Sequence, residues 1–370
     1  MKVLLVVRWP VGGIRTYLKY MLKDEALNQN DYTLILPKNA NSLLLQKSLT
    51  GLNVKFQWTA EGRFSFIRQV TKHVLFGRYD LIHTHGLMAA FLSLPIIFLS
   101  NIKFIVSSHD VFAEHHFYGF RGVLKRWATK LLFWRVSAIN VLGQDAKDNL
   151  FKFFPNTKDN KVFPIRNGIV TDAFFDAKDE GLKSSLGLSE QTVLVGFLGR
   201  FMGQKGFKYL LSAIDTIVKQ KLTTVRFKVL AINANGGWEH AELSRIKELG
   251  LEDYFIFIPP KENIANLLAG LDIIAIPSVW ECSPLTPMEA LVVGTPVLAS
   301  DCIGLNEMIT DTPAVRFKSQ DTIDLREKLL SMLDEQNKAT FISFKTIARQ
   351  RFDVKRAAKQ LSELYKRDFK

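Results

Sequence analysis

Twice along this chain, short runs of Val, Ile and Leu alternate with longer stretches of helical periodicity, and this repeated alternation narrows the fold more than any other feature. Apolar runs with no polar side suit strands buried on both faces, as a parallel sheet covered by helices requires. The first half predicts strands at Lys2–Val7, Tyr32–Leu36, Leu81–His83, Phe104–Ser107 and Ala138–Val141, with helices in most intervals. The pattern restarts after Arg166-Asn167-Gly168, with strands predicted at Val193–Leu198, Arg226–Ala231, Phe255–Phe257, Ile273–Ile276 and Val297–Ala299. With 370 residues, 47% of them hydrophobic, the chain can bury two such cores.

The expected fold class is therefore α/β, two doubly wound domains facing across a cleft, spanning residues 1–170 and 171–350. Residues 351–370 hold a C-terminal helix whose stripe of Ala357, Ala358, Leu361, Leu364 and Tyr365 must dock, and it is expected to pack back toward the first domain. The polar stretch Thr171–Lys183 reads as an exposed linker. Ligands of such sheets bind beyond the carboxyl ends of the strands, so chemistry is sought there.

Several classes are set aside. The N-terminus is apolar but broken by Arg8, which suits a first strand better than a signal peptide. Leu87–Leu99 is short of the roughly 20 residues that span a bilayer and contains Pro95, so it reads as a core helix. Cys282 and Cys302 are too few for a disulfide framework and lack zinc-ligand spacing, so a cytoplasmic setting is expected.

Two segments carry the chemistry. Pro277–Val297 reads as a strand end, a loop holding Glu281, and a helix that starts near Pro287, carries Glu289 and stops at Gly294. A helix entered from such a loop offers backbone N–H groups and its positive dipole end to phosphate, and carboxylates accept hydrogen bonds from paired hydroxyls. A bland reading stands beside this one: a first-turn acid favoured by the dipole and an ordinary loop acid. The second segment is Gly199-Arg200-Phe201-Met202-Gly203-Gln204-Lys205-Gly206, directly after a strand, where the fork of Arg200 and the point charge of Lys205 suit a diphosphate.

Together these segments resemble the retaining family 4 glycosyltransferases (glycosyl transferases group 1), with two Rossmann-like domains in the GT-B arrangement. Glu281 and Glu289 match the family's E-x7-E motif, followed here by Gly294-Thr295-Pro296-Val297, and Gly199-Arg200 with Lys205-Gly206 match its G-R-x4-K-G signature. The resemblance implies that Glu281 contacts the donor sugar, Glu289 the ribose hydroxyls, and Arg200 and Lys205 the leaving diphosphate, with Ser283, Leu285 and Thr286 lining the donor site. It also places Gly12 and Gly13, after the first strand, near the reaction centre and acceptor, and His109, at the end of Phe104–Ser108, within reach of the donor sugar. Asp80-Leu81-Ile82-His83-Thr84-His85 and Pro164-Ile165-Arg166-Asn167-Gly168-Ile169 extend the match, which runs from residue 3 to about residue 307.

The departures are local. Cys282-Ser283-Pro284 replaces a small-aromatic-Gly triplet, and Pro284 has no N–H for a sugar hydroxyl. Ala231–Gly237 stands where the family has a G-x-G-P turn near the base, so uridine is expected by default and guanosine stays open. Ile303-Gly304-Leu305-Asn306-Glu307 has lost one glycine of a G-G-x-x-E. The sequence holds no Asp-x-Asp pair, so no metal and no cofactor is expected.

Residues 1–170 carry 23 Lys+Arg against 10 Asp+Glu, which accounts for the whole net charge of +13. Such a field attracts polyanions without choosing among them. No nucleic-acid recognition module is present, so nucleic acid is not an expected partner. Arg121, Lys125, Arg126, Lys130 and Arg135 share a predicted helix with a face of Leu124, Trp127, Leu131 and Trp134. That face either packs on the sheet, the common outcome, or lies on an anionic membrane surface. The implied partners are a nucleotide sugar donor, UDP-sugar before GDP-sugar, and a glycan or lipid-linked acceptor. The resemblance implies metal-independent hexosyl transfer in cell-surface polysaccharide biosynthesis, lipopolysaccharide or capsule, peripheral at the inner face of the membrane. A sugar-nucleotide epimerase or hydrolase of the same fold and an inactive partner subunit are the alternatives.

Overall fold

The computed structural model describes residues 1–232, 239–259, 261, 263–335 and 337–369. The chain forms two compact units: Met1–Gly168 with Val354–Lys370, and Ile169–Asp353. In the first unit the strands are β1 (Lys2–Val7), β2 (Asp31–Pro37), β3 (Val54–Thr59), β4 (Leu81–His85), β5 (Lys103–Ser108), β6 (Ala138–Val141) and β7 (Val162–Pro164). They lie parallel in the order β3-β2-β1-β4-β5-β6-β7. The second unit has β8 (Val193–Leu198), β9 (Phe227–Ile232), β10 (Phe255–Ile258), β11 (Ile273–Ile276), β12 (Val297–Ser300) and β13 (Val315–Phe317), parallel in the order β10-β9-β8-β11-β12-β13.

Both sheets are doubly wound, and each reverses direction once, between β1 and β4 and between β8 and β11. Loops leaving the carboxyl ends of those four strands diverge there and leave room for a ligand. The central strands β1 and β8 are continuous apolar runs because helices cover them on both sides: Val3–Val7 are fully buried, as are most of Val193–Phe197. The strands that apolar runs did not predict, β3, β7 and β13, each border only one neighbour. An edge strand needs less apolar surface and tolerates Lys55, Gln57 and Arg316.

Leu87–Phe98 is a helix packed on its own sheet, with Pro95 inside it. Among the described residues no helix is long and apolar enough to cross a membrane. Thr171–Lys183 is not the exposed linker expected. It forms the short helix Asp172–Phe175 and enters Leu182–Ser185, with Thr171, Phe174, Leu182 and Lys183 buried, and it belongs to the second unit. The helix Val354–Lys366 buries its whole stripe and lies against the helices Gly13–Lys23 and Glu25–Asn28 of the first unit. Tyr365 on that helix donates or accepts a 2.6 Å hydrogen bond with His83 Nδ1 on β4, and Lys103 Nζ donates to the Tyr365 carbonyl at 2.9 Å.

Candidate active site

In the second unit, two loops leaving the sheet's reversal point meet. β8 leads through Gly199 and Arg200 into the single turn Gly203–Lys205, and β11 leads into Pro277–Glu281. Val279 N–H donates to the Gln204 carbonyl at 2.8 Å, and Gln204 Nε2 donates to the Trp280 carbonyl at 3.0 Å, which fixes one loop on the other. Gly206 has φ +66°, and a Cβ there would meet the Pro277 carbonyl oxygen at 1.8 Å. Only glycine supplies both the left-handed conformation and the approach.

That contact brings the two charged motifs together. Lys205 Nζ lies 2.6 Å from Glu281 Oε1, which also accepts from Ser278 Oγ at 2.7 Å. Glu281 is 6% exposed, so its carboxylate is presented by a fixed cage rather than solvated on a loop. Its backbone N–H donates to the Ile303 carbonyl at 3.0 Å. Gly304, at φ +76°, lies so near that a Cβ would come within 2.4 Å of the Glu281 carbonyl oxygen, which explains why this glycine of the reduced Gly304-Leu305-Asn306-Glu307 segment stays.

The helix Thr286–Val293 begins with Pro287 in its first turn and ends at Gly294, φ +89°. Leu285 and Thr286 stand at its entry, where backbone N–H groups have no partner within the helix. Glu289, in that turn, is 5% exposed and so is not the solvated dipole-favoured acid of the bland reading. Burial pushes its carboxyl up to about 7. Ser283 is buried, its Oγ 3.9 Å from Met308 Sδ. Arg200 projects into solvent beyond β8. The structure thus gathers Lys205 and Glu281 directly and sets Arg200, Ser283, Leu285, Thr286 and Glu289 on the loops and helix start at the same sheet edge. Asn233–Gly237, the replaced turn, lies outside the described residues.

In the first unit, Gly12, φ +52°, ends the loop after β1, and Gly13 opens the helix Gly13–Lys23. A Cβ at either would meet nothing within 4 Å, so the loop leaves open space beside it. His109 follows β5 at the same carboxyl edge. Its Nε2 lies 3.0 Å from His85 Nδ1, and the Tyr17 ring stands edge-on at 5.0 Å. His83 Nε2 bonds Ser107 Oγ at 2.7 Å, which also accepts from Asn140 Nδ2 at 2.8 Å. Burial holds His83 down to about 3 and His109 to about 4, with His85 well below its ordinary value, so the three imidazoles are neutral at pH 7. Neutral rings donate from one nitrogen and accept at the other, which suits hydroxyl recognition rather than anion binding. Ser278 and Tyr17 escaped sequence reasoning, and His85 stood only in a matching strand with no role, since none is distinguished until the fold brings it against Glu281 or His109.

Among the described residues no group of three His, Cys, Asp or Glu could hold a metal ion.

Known proteins resemble the chain over both units. A 41.2 kDa protein of the cps region of Klebsiella pneumoniae is 23% identical over 323 residues, 84% of each chain. The lipopolysaccharide core biosynthesis mannosyltransferase LpsB of Rhizobium meliloti is 25% identical over 248 residues, 64% of this chain and 67% of that one. The crystal structure of Anabaena HepE with UDP superposes with a TM-score of 0.82 at 21% identity, covering 99% of this chain and 100% of that one, and its UDP-glucose complex does so at 0.82 and 20%, covering 99% of each. The family description Glycosyltransferase Family 4 matches residues 11–173, and Glycosyl transferases group 1 matches residues 179–349. With both halves matched and both sheets in place, the chain belongs to the group 1, family 4 glycosyltransferases of GT-B fold, and it is a glycosyltransferase.

Proposed function

We propose that this enzyme moves a hexosyl group, with retention at the anomeric carbon, from a nucleoside diphosphate sugar to a glycan or lipid-linked acceptor in cell-surface polysaccharide assembly. UDP is the favoured carrier, supported by HepE, which is solved with UDP and UDP-glucose, and GDP is the second choice. LpsB and the cps-region protein support the polysaccharide setting. The observation that carries the reading is the Lys205–Glu281–Ser278 cluster beside the start of the Thr286–Val293 helix. It sets a cation and a hydrogen-bond acceptor in one cage where a sugar diphosphate needs both.

In this reading Glu289 takes the ribose hydroxyls, Glu281 the sugar hydroxyls, and Arg200, Lys205 and the helix start the diphosphate. The acceptor oxygen bonds to the anomeric carbon as that carbon's bond to the β-phosphate oxygen breaks. The bonding pair leaves with the nucleoside diphosphate, and the acceptor proton passes to the departing phosphate oxygen on the same face. Stabilising that anion is the main catalytic contribution, and these cations perform it without a metal. The N-terminal domain, with Gly12, Gly13 and His109, serves the acceptor and the reacting sugar. The exposed, cationic face of the helix Gly119–Arg135 supports peripheral attachment to an anionic membrane: Trp127 is 64% exposed and Trp134 68%, while Gly122, Thr129, Leu132 and Phe133 form the buried stripe.

Calorimetry with a panel of nucleoside diphosphates and their sugars, without metal, tests the donor site. One diphosphate should bind the wild type and lose at least tenfold in affinity with Glu289→Ala. Turnover in Arg200→Ala and Lys205→Ala should fall by about 10²-fold or more. Near-normal turnover in both would defeat the assignment.

A further inference from the structure

The first unit has a cavity of about 560 Å³ that the donor and acceptor chemistry does not use. Its walls are the second half of the helix Gly119–Arg135, through Arg126, Lys130, Phe133 and Trp134, and the segment 153–161, through Phe154, Lys158 and Lys161. Arg135 ends just before β6 begins at Ala138, and Lys161 just before β7 begins at Val162. The cavity therefore lies at the amino ends of these strands, whereas His109 follows the carboxyl end of the parallel β5. It is at the opposite edge of the sheet from the candidate active site.

Its charge is one-sided. Four cations line it, and among the described residues no carboxylate does. Asp159, the acid nearest in sequence, is taken by Lys147 at 2.7 Å. Lys161 is held in the wall by donating to the carbonyls of Trp134 at 2.8 Å and Val136 at 2.7 Å. Burial lowers its pKa, and so do the neighbouring Lys158 and Arg135, so the local field lacks an anion. Four aromatic rings, Phe133, Trp134, Phe153 and Phe154, supply most of the rest of the lining, which Pro155, Asn156 and Thr157 complete. Trp134 both lines the cavity and emerges from it, stacking on Phe98 at 6.4 Å. Beyond it the exposed Leu99, Trp127 and Leu124 continue an apolar surface. A volume in the range of small-ligand sites, a cationic wall, an aromatic floor and an apolar rim carrying tryptophans fit a molecule that is anionic at one end and hydrocarbon at the other.

We propose that this cavity is a phospholipid site that takes the phosphate of one anionic bilayer lipid between Arg126, Lys130, Lys158 and Lys161 and its proximal chain atoms against Phe133, Phe154 and Trp134. The proposal rests on the reading that the exposed helix face meets an anionic membrane, and it adds a discrete, saturable site to that attraction. The occupancy would fix how the first unit stands on the bilayer, which diffuse attraction does not.

The test uses the full chain and dioctanoyl phosphatidylglycerol below its micellar concentration, titrated by calorimetry, alongside flotation with phosphatidylcholine vesicles with and without phosphatidylglycerol. The wild type should bind one soluble lipid per chain. Lys130→Ala/Lys158→Ala, at two exposed positions, should weaken it at least tenfold. Leu124→Ser/Trp127→Ser, on the face outside the cavity, should keep the soluble lipid and lose most vesicle binding. If wild type floats with anionic vesicles but binds no soluble lipid, or binds it equally well in the double cation variant, the site is overturned while membrane attachment stands. Displacement of the lipid by an equal concentration of glycerophosphate or inorganic phosphate overturns the lipid assignment, because the aromatic floor then contributes nothing. Failure of both soluble lipid and vesicles removes the site and the attachment together.

Discussion

Glu289 illustrates how one side chain can oppose stability to binding. Its carboxyl, raised from 4.5 to about 7 by burial, holds more protons in the folded chain than in the unfolded chain between those values. Stability contributed at this site therefore falls as pH rises from about 4.5 to about 7 and is level above that. In the proposed donor site a ribose hydroxyl donates to this carboxylate, so nucleotide affinity should run the other way, weakening up to about tenfold per pH unit below about 7. Glu289→Gln should melt several degrees above the wild type at pH 8, match it near pH 4.5, and show no affinity slope. Parallel melting curves for the two proteins across this range would show that the carboxyl is not raised. The sequence made both glutamates of the motif legible through their spacing and the Gly-x-Pro-Val that follows. It hid what each touches. Ser278 is a common residue near a common turn, and only the folded loop puts its hydroxyl 2.7 Å from Glu281. Likewise His85 is one of two histidines on a strand until β5 brings His109 to it.

At the level of elements, the two loops at the second sheet's reversal are held by approach distances that no side chain tolerates. Gly206→Ala must move Pro277 or unwind the turn, at a cost of about 1–3 kcal/mol, and should lower the melting temperature together with donor affinity. Gly203→Ala, in the same turn, meets nothing within 4 Å and should be tolerated in both assays. Equal effects of the two substitutions would show that the contact with Pro277 does not set the site. The central strands β1 and β8 were legible because burial on both faces favours an unbroken apolar run, as in Val3–Val7. Of the edge strands only the apolar β10 was legible: β7 is three residues long, and β3 and β13 carry exposed charges. The stretch Thr171–Lys183 misled for a related reason: two four-residue helices bury single anchors, Phe174 and Leu182, among many charges, and average composition does not register one anchor. The helix Gly119–Arg135 was legible as amphipathic, but the face carrying Trp127 and Trp134 is the solvent one, and the buried stripe is Gly122, Thr129, Leu132 and Phe133.

For the molecule as a whole, the two units differ in how the chain supplies them. The second is one continuous segment whose ends meet, Ile169 N–H donating to the Phe352 carbonyl at 2.8 Å and Ile169 pairing with Asp353 as a parallel bridge. The first draws on both ends of the sequence and is closed by the helix Val354–Lys366. A fragment of residues 169–353 should therefore unfold in one cooperative thermal transition. A fragment of residues 1–168 should not, lacking the helix stripe over Gly13–Asn28 and the partner of His83. In the full chain, Tyr365→Phe leaves His83 Nδ1 buried without its hydroxyl and should cost about 1–3 kcal/mol of first-unit stability. A cooperative 1–168 fragment with the full chain's melting temperature would show that the helix is dispensable. The same arrangement sets an order in time. Residues 1–168 leave the ribosome long before Tyr365 is made, and the intervening segment takes on the order of ten to forty seconds to translate. Throughout that interval the amino-terminal half waits with an open seam, exposed to proteases and chaperones, while its neighbour is being made and is complete only at Asp353, just before the last helix begins. A message cut just after Asp353, upstream of the last helix, would yield a protein whose second half is whole and whose first half lacks the helix that closes it.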